Sequence, residues 1–127
     1  MIKIKEIAFT AYAVSDLPKA REFYEGVLGL VPSDEYPVKD PTAKEGWVEY
    51  NIGTGTLGVG CSLEFWKPSK DGASIALEIE NFEEAVEEMK AKGVTIVTGP
   101  NDFPSCRMIV LADPDGNRIT LHQRKAK

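Results

Sequence analysis

Histidine and cysteine are scarce in this chain of 127 residues, which contains one histidine and two cysteines. One histidine cannot supply the paired imidazoles of an H-x-x-x-H metal site. The two cysteines, Cys61 and Cys106, are too few and too far apart in sequence to indicate a disulfide framework or a zinc site. We therefore expect a reduced, cytoplasmic protein without sites of these kinds.

Long apolar segments are also missing, because no run of about 18 apolar residues occurs, the length that a membrane-spanning helix needs. The first residues, MIKIKEIAF, lack the apolar core of a signal peptide. Basic residues are fewer than acidic residues, since 15 basic and 20 acidic residues give a net charge of −5. Such a surface repels phosphate groups, so we expect neither nucleic acid nor a membrane as partner.

A dinucleotide-binding loop is not indicated, although one glycine-rich segment matches G-x-G-x-x-G. Residues 53–58 read Gly-Thr-Gly-Thr-Leu-Gly, but this fingerprint requires a helix that begins at the last glycines. The residues that follow, 59–63, have the composition of a strand. We therefore interpret the segment as a glycine-rich hairpin.

What the sequence does contain is one order of elements that occurs twice. The first half predicts a strand, a helix and three strands, near residues 2–14, 17–28, 31–38, 46–52 and 56–65. The second half predicts the same order, near residues 74–80, 82–92, 94–98, 106–111 and 117–123. Ser15 or Asp16 is the predicted cap of the first helix, and Asn81, with Glu84, is the predicted capping box of the second.

The two halves also match weakly residue by residue. A shift of 65 residues (79 minus 14) places Val14-Ser-Asp-Leu-Pro-Lys-Ala20 on Ile79-Glu-Asn-Phe-Glu-Glu-Ala85. We therefore predict one domain of the α+β class, built from tandem β-α-β-β-β modules that form a curved mixed sheet around a cleft. Module one comprises about residues 1–66 and module two about residues 73–124.

Two stretches carry a family resemblance that covers essentially the whole chain. They are AVSDLPKAREFYEGVLGL at residues 13–30 and DPDGNRITLH at residues 113–122. Both resemble the characteristic stretches of the vicinal oxygen chelate superfamily, which includes glyoxalase, bleomycin-resistance proteins and extradiol dioxygenases. The resemblance implies a glyoxalase/bleomycin-resistance-like fold, a small-molecule ligand and a homodimer.

The resemblance also implies where metal-dependent members of the superfamily hold their ion. In this chain the four positions carry one aromatic residue, one glycine and two hydroxyl residues, namely Phe9, Gly58, Ser74 and Thr120. Neutral hydroxyl groups are poor ligands for a divalent cation without carboxylate or imidazole groups beside them. We therefore expect no metal and no cofactor, and a small-molecule site that serves binding and sequestration or side-chain acid–base chemistry.

Two residues are candidates for catalysis. His122 lies two residues after Thr120 and shares its face, so it is a candidate general base or hydrogen-bond partner, the alternative being a half-exposed histidine at a strand end. Cys106 lies on the neighbouring predicted strand and is a candidate nucleophile that His122 could approach. The alternative for Cys106 is a small buried side chain.

The candidate ligand-contacting residues are Phe9, Tyr50, Ser74, Met108 and Thr120. Glu49 and Tyr50 are adjacent in one predicted strand, so only one of them can face the site. Aromatic and apolar residues predict either an apolar wall of the site or a core, and they are Phe9, Trp47, Phe65, Trp66 and Met108.

Two other functions stay open at this point. One is a metal-dependent lyase, isomerase or dioxygenase of the same superfamily that uses His122, Glu49 and Cys106 as unusual ligands. The other is a protein whose cleft is filled by its own side chains and which acts by association alone.

Overall fold

The computed structural model describes residues 3–36, 42–62, 64 and 66–126. The chain divides into two compact units, Met1–Pro68 and Ser69–Lys127, and we keep the names module one and module two for them. Each module contains the predicted order of one strand, one helical segment and three strands, so the predicted α+β fold class is confirmed. A cleft shared by the modules stays a prediction, and Phe65 lies outside the described residues.

Module one begins with strand β1 (Thr10–Ala13) and continues with a helical segment. This segment starts as an α-helix, α1 (Leu17–Arg21), and ends as a π-helix over Glu22–Val27. Three strands follow, β2 (Pro32–Tyr36), β3 (Gly46–Ile52) and β4 (Gly55–Cys61). The sheet order is β1-β4-β3-β2, in which β1 and β4 are parallel and the other neighbours antiparallel.

Module two repeats this arrangement. Its elements are β5 (Ile75–Glu78), α2 (Phe82–Ala91), β6 (Thr95–Asp102), β7 (Cys106–Ala112) and β8 (Arg118–Arg124). The sheet order is β5-β8-β7-β6, again with one parallel pair, β5 and β8. Each strand of module one therefore has a counterpart in module two, and β4 corresponds to β8.

The first strand is shorter than the sequence predicts. Of the described residues in the predicted strand 2–14, only Thr10–Ala13 pair with β4, and Ile4 and Ile7 are more than 80% exposed. Thr10 pairs with Leu57, only two residues after β4 begins at Gly55. Residues before Ala8 consequently have no part of β4 beside them to bond, whatever their apolar alternation.

The two helices begin in different ways. Asp16 caps α1 as predicted, because its side chain accepts a hydrogen bond from the backbone N–H of Lys19 at 3.1 Å. Asn81 is the N-cap residue of α2 as predicted, but the predicted side-chain capping bond is wrong, since Asn81 has a left-handed backbone (φ 54°) and its side chain makes no such bond. The side chain of Gln123, on β8, accepts the N–H of Phe82 instead, at 2.9 Å.

One face of each sheet is covered by the helical segment of its own module. In module one the buried residues of this face include Tyr12, Val48, Tyr50, Leu57 and Val59, and in module two Ile109, Leu111, Ile119 and Leu121. Successive strand residues alternate between faces, so Trp47 and Glu49 lie on the face that points away from the helix. None of the helices in the described ranges is long and apolar enough to cross a membrane.

Candidate functional site

The strand pairing shows which residues of β4 and β8 are equivalent in the two modules. Ala11 pairs with Gly58 in the parallel ladder of β1 and β4, and Ala76 pairs with Thr120 in the ladder of β5 and β8. Because the sequence repeat relates Ala11 to Ala76 by its shift of 65 residues, Gly58 and Thr120 are equivalent. The register therefore confirms the alignment of Gly58 with Thr120 that the sequence predicts.

Trp47 lies flat across the glycines of β4, on the face away from the helix. A β-carbon added at Gly58 would lie 2.4 Å from ring atoms of Trp47, and one added at Gly60 would lie 2.7 Å from that ring. Non-bonded carbon atoms keep about 3.5–4.0 Å between them. Only glycine at both positions gives the indole a flat floor on which to lie.

Two more aromatic side chains contact this indole. Trp66 stacks on Trp47 with ring centroids 6.4 Å apart, and Phe9 meets Trp47 edge-on at 5.2 Å. A bridge between Ser62 and Trp66 turns the chain back after β4 and brings Trp66 to this position. We call Phe9, Trp47 and Trp66 the aromatic platform, of which Phe9 is 49% exposed and Trp66 36%.

Glu49 holds the central ring of the platform in place. Its Oε2 accepts a hydrogen bond from Trp47 Nε1 at 2.8 Å, and it pairs with Gly58 across β3 and β4, so it lies on the same face. The side chain is half-buried. None of the ion pairs among the described residues includes Glu49.

Tyr50 faces the opposite way, which corrects its place among the candidate ligand-contacting residues. It is fully buried, and its hydroxyl donates a hydrogen bond to Glu25 Oε2 at 2.9 Å. Burial, followed by this bond, raises the pKa of Tyr50 above its ordinary value of 10. Tyr50 therefore joins the π-helix to the sheet, and of the alternating pair it is Glu49 that reaches the face away from the helix.

His122, on β8 of module two, is held by a carboxylate that sequence reasoning missed. Its Nδ1 lies 2.6 Å from Oε1 of Glu78, its paired residue on β5. The other carboxylate oxygen accepts the backbone N–H of Arg124 at 2.7 Å, and these two bonds, the backbone one first, lower the pKa of Glu78. A carboxylate on one ring nitrogen fixes the orientation of an imidazole, as in acid–base sites.

Cys106 and His122 line the same hollow, which has a volume of about 410 Å³. Cys106 pairs with Arg124 across β7 and β8, which makes it the diagonal neighbour of His122 on one face. The imidazole is bonded toward β5, however, on the far side of β8 from Cys106. No hydrogen bond joins the thiol to the imidazole among the described residues.

The remaining candidates occupy separate places. Ser74 is exposed just before β5, Thr120 is buried in β8 at 7% exposure, and Met108 is half-buried opposite His122.

The donor set at the four expected metal positions does not fit a divalent cation, because it includes neither a carboxylate nor an imidazole. In the described part of the chain, no group of three or more histidine, cysteine, aspartate or glutamate residues is arranged to hold a metal ion.

Comparison with known proteins places the chain in a family. The sequence profile of the Glyoxalase/Bleomycin resistance protein/Dioxygenase superfamily matches residues 6–121. YetH of Bacillus subtilis (strain 168), an uncharacterized protein, is 30% identical over 122 residues, which are 94% of this chain and 99% of YetH.

Solved structures of other proteins have a similar fold. TnmS3, an antibiotic binding protein from Streptomyces sp. CB03234, is 22% identical, with 98% of this chain and 100% of TnmS3 covered and a TM-score of 0.77. A proposed glyoxalase family protein from Bacillus anthracis is 23% identical, with 98% and 99% covered and a TM-score of 0.72. The chain therefore belongs to the glyoxalase/bleomycin resistance protein/dioxygenase superfamily, as its two characteristic stretches predict.

Proposed function

We propose that this protein binds a planar, largely apolar small molecule on the aromatic platform, without a metal ion, and that it acts by binding or sequestration. One observation carries the proposal. The indole of Trp47 covers Gly58, the position in module one where the superfamily resemblance implies a metal ligand on the last strand. Phe9, at the other implied position of this module, belongs to the same aromatic surface.

The platform has the properties that stacking on a flat ligand requires. Aromatic pairs gain about 0.5–1.5 kcal/mol beyond the area they bury, and both Trp66 and Phe9 present exposed ring surface. Trp47 is already fixed by Glu49 and the glycine floor. Binding therefore costs little further ordering of this side chain. The fold is compatible with such a role, since the similarly folded TnmS3 is an antibiotic binding protein.

The test uses N-phenyl-1-naphthylamine, a neutral apolar probe whose fluorescence rises in an apolar site. We expect protein treated with a chelator to bind the probe, Trp66→Ala to weaken binding at least fivefold, and Tyr36→Ala to leave it unchanged. Tyr36 is the matched control because it is a 73% exposed aromatic residue of the same module, on β2. Binding that requires added zinc, nickel, manganese or iron would contradict the proposal, as would binding indifferent to Trp66→Ala.

The bond of 2.6 Å between Glu78 and His122 favours a second function, side-chain acid–base chemistry at the hollow of module two. Hydrolysis of p-nitrophenyl acetate tests it, since an oriented imidazole accelerates acyl transfer. We expect turnover above background that His122→Ala removes and Glu78→Gln reduces, with Glu80→Gln, an exposed neighbouring carboxylate, as control. Equal rates in wild type and His122→Ala would exclude this function, and Cys106→Ala reports whether the thiol takes part.

A further inference from the structure

We infer that the ligand of the aromatic platform carries a positive charge, as an ammonium or quaternary ammonium group attached to a flat apolar body. This inference rests on the proposed function and names the class of molecule that the site takes. The juxtaposition behind it is that of Glu49 with the indole of Trp47 on one face of the module-one sheet.

The carboxylate of Glu49 is only partly used by the protein. Oε2 accepts the Trp47 Nε1 hydrogen at 2.8 Å, whereas Oε1 takes part in none of the hydrogen bonds that the described residues form. The side chain is half-buried. A carboxylate acceptor would not be needed merely to hold an indole N–H, since a neutral amide oxygen provides the same bond.

The charge of Glu49 has no counterpart among the described residues. The basic side chains of module one that form ion pairs there bond elsewhere, Arg21 to Glu25 and Glu35, and Lys44 to Asp16. Removing a carboxylate from water without a cationic partner is unfavourable. A ligand cation beside Glu49 would supply that partner. A neutral ligand would only remove more water from the Glu49 carboxylate.

The aromatic rings favour the same sign of charge. The face of an aromatic ring attracts cations, and indole does so more strongly than phenol or benzene rings. The indole of Trp47 lies beside the carboxylate, and the indole of Trp66 stacks on Trp47. The net charge of −5 further disfavours anionic ligands over the whole surface. Ring faces, carboxylate and overall charge thus select the same class of ligand.

The experiment compares two probes that differ only in charge, benzyltrimethylammonium and its neutral isostere neopentylbenzene. Each is titrated as a competitor of N-phenyl-1-naphthylamine. We expect wild-type protein to bind the cation at least tenfold more tightly than the isostere. Glu49→Gln keeps an acceptor for Trp47 Nε1 and removes the charge, so we expect the preference to fall below threefold while the affinity for the isostere is unchanged.

Glu22→Gln is the matched control, because Glu22 is an exposed carboxylate of the same module on the π-helix. It should leave the affinities for both probes unchanged, and urea unfolding of Glu49→Gln verifies that the variant is folded. Equal affinities for both probes in wild type would overturn the inference, as would a cation preference that survives Glu49→Gln. Failure of N-phenyl-1-naphthylamine itself to bind would overturn the proposed function, which separates the two failures.

Discussion

The ring of Trp47 and the backbone of Gly58 are in direct contact, with no room for a β-carbon between them. The ring has little freedom to retreat, because Glu49 bonds its nitrogen while Trp66 and Phe9 lie against it. Glycine at position 58 is therefore a packing requirement of the aromatic platform. The same contact excludes a side chain at the implied metal-ligand position for as long as Trp47 keeps its place.

Gly58→Ala tests this contact. We expect the free energy of unfolding to fall by about 1–3 kcal/mol, the usual cost of overpacking, as measured by urea unfolding. Gly26→Ala is the control, because a β-carbon there meets nothing within 4 Å and alanine is the better helix former. In a Trp47→Leu background the cost of Gly58→Ala should shrink, since the two residues are in contact. Equal losses in both backgrounds would contradict the contact.

Local signals in the sequence were enough to predict the fold class. The alternation of strand residues and the cap at Asp16 depend on neighbours within a few positions, and the structure contains both. The side-chain bond at the start of α2 could not be predicted locally, because the acceptor is Gln123, which lies 41 positions after Phe82 in the chain. The predicted length of β1 is wrong for a similar reason, because the extent of β1 depends on its pairing with β4, which is distant in sequence.

The site was predicted less well, since it depends on which residues meet across strands. The sequence indicates that only one of Glu49 and Tyr50 faces a site, but the choice needs the register of β3 against β4. Alternate glycines at positions 58 and 60 are a usable signal for a large ring on that face, although the sequence motif by itself indicates only a hairpin that includes Gly58 and a strand that includes Gly60. Glu78 was missed because its bond to His122 depends on parallel pairing of β5 with β8.

The Tyr50 hydroxyl makes a pH-dependent contribution to stability. Its pKa is raised in the folded state, so the protonated form is favoured by folding. The contribution is complete below pH 10, the ordinary pKa of tyrosine. It is lost as the pH rises, because the Tyr50 hydroxyl ionises in the unfolded chain before it does so in the folded chain. We expect Tyr50→Phe to lower the free energy of unfolding by about 1.5–3 kcal/mol at pH 8, the contribution of a hydrogen bond to a charged acceptor.

The difference between wild type and Tyr50→Phe should narrow as the pH is raised above 10, in urea unfolding series from pH 8 to 11. Tyr36→Phe is the control, because Tyr36 is 73% exposed and its substitution should change little at any of these pH values. A difference that stays constant through this range would show that folding does not raise the pKa of Tyr50.

Glu78 makes a pH-dependent contribution to stability at acidic pH. The Arg124 N–H and His122 lower its pKa, so at pH values below 4.5 the unfolded chain binds the proton more readily than the folded chain. The stabilisation is present above pH 4.5 and is lost as the pH falls through the folded-state value. We expect Glu78→Gln to give a shallower decline of stability between pH 5 and 3 than wild type, by thermal unfolding. Glu80→Gln, an exposed residue beyond β5, should keep the wild-type slope.

The two thiols report on the hollow of module two. Cys106 is half-buried on its wall, whereas Cys61 is 3% exposed within β4. We expect 5,5′-dithiobis(2-nitrobenzoic acid) to modify one thiol in the native protein and the second only after unfolding, with Cys106→Ala removing the native reaction. His122→Ala should change the native rate by no more than about twofold, since the imidazole is bonded toward Glu78 and not toward the thiol.

If His122→Ala lowered the rate of the Cys106 reaction tenfold or more, the imidazole would have to rotate toward β7 and take the thiol proton. The ring would then have to leave Glu78, so Glu78→Gln would be expected to raise the rate of the same reaction. Glu78 and Cys106 lie on opposite sides of β8, and the imidazole cannot bond both through Nδ1 at once. The ratio of the two variant rates therefore decides whether His122 serves the carboxylate or the thiol.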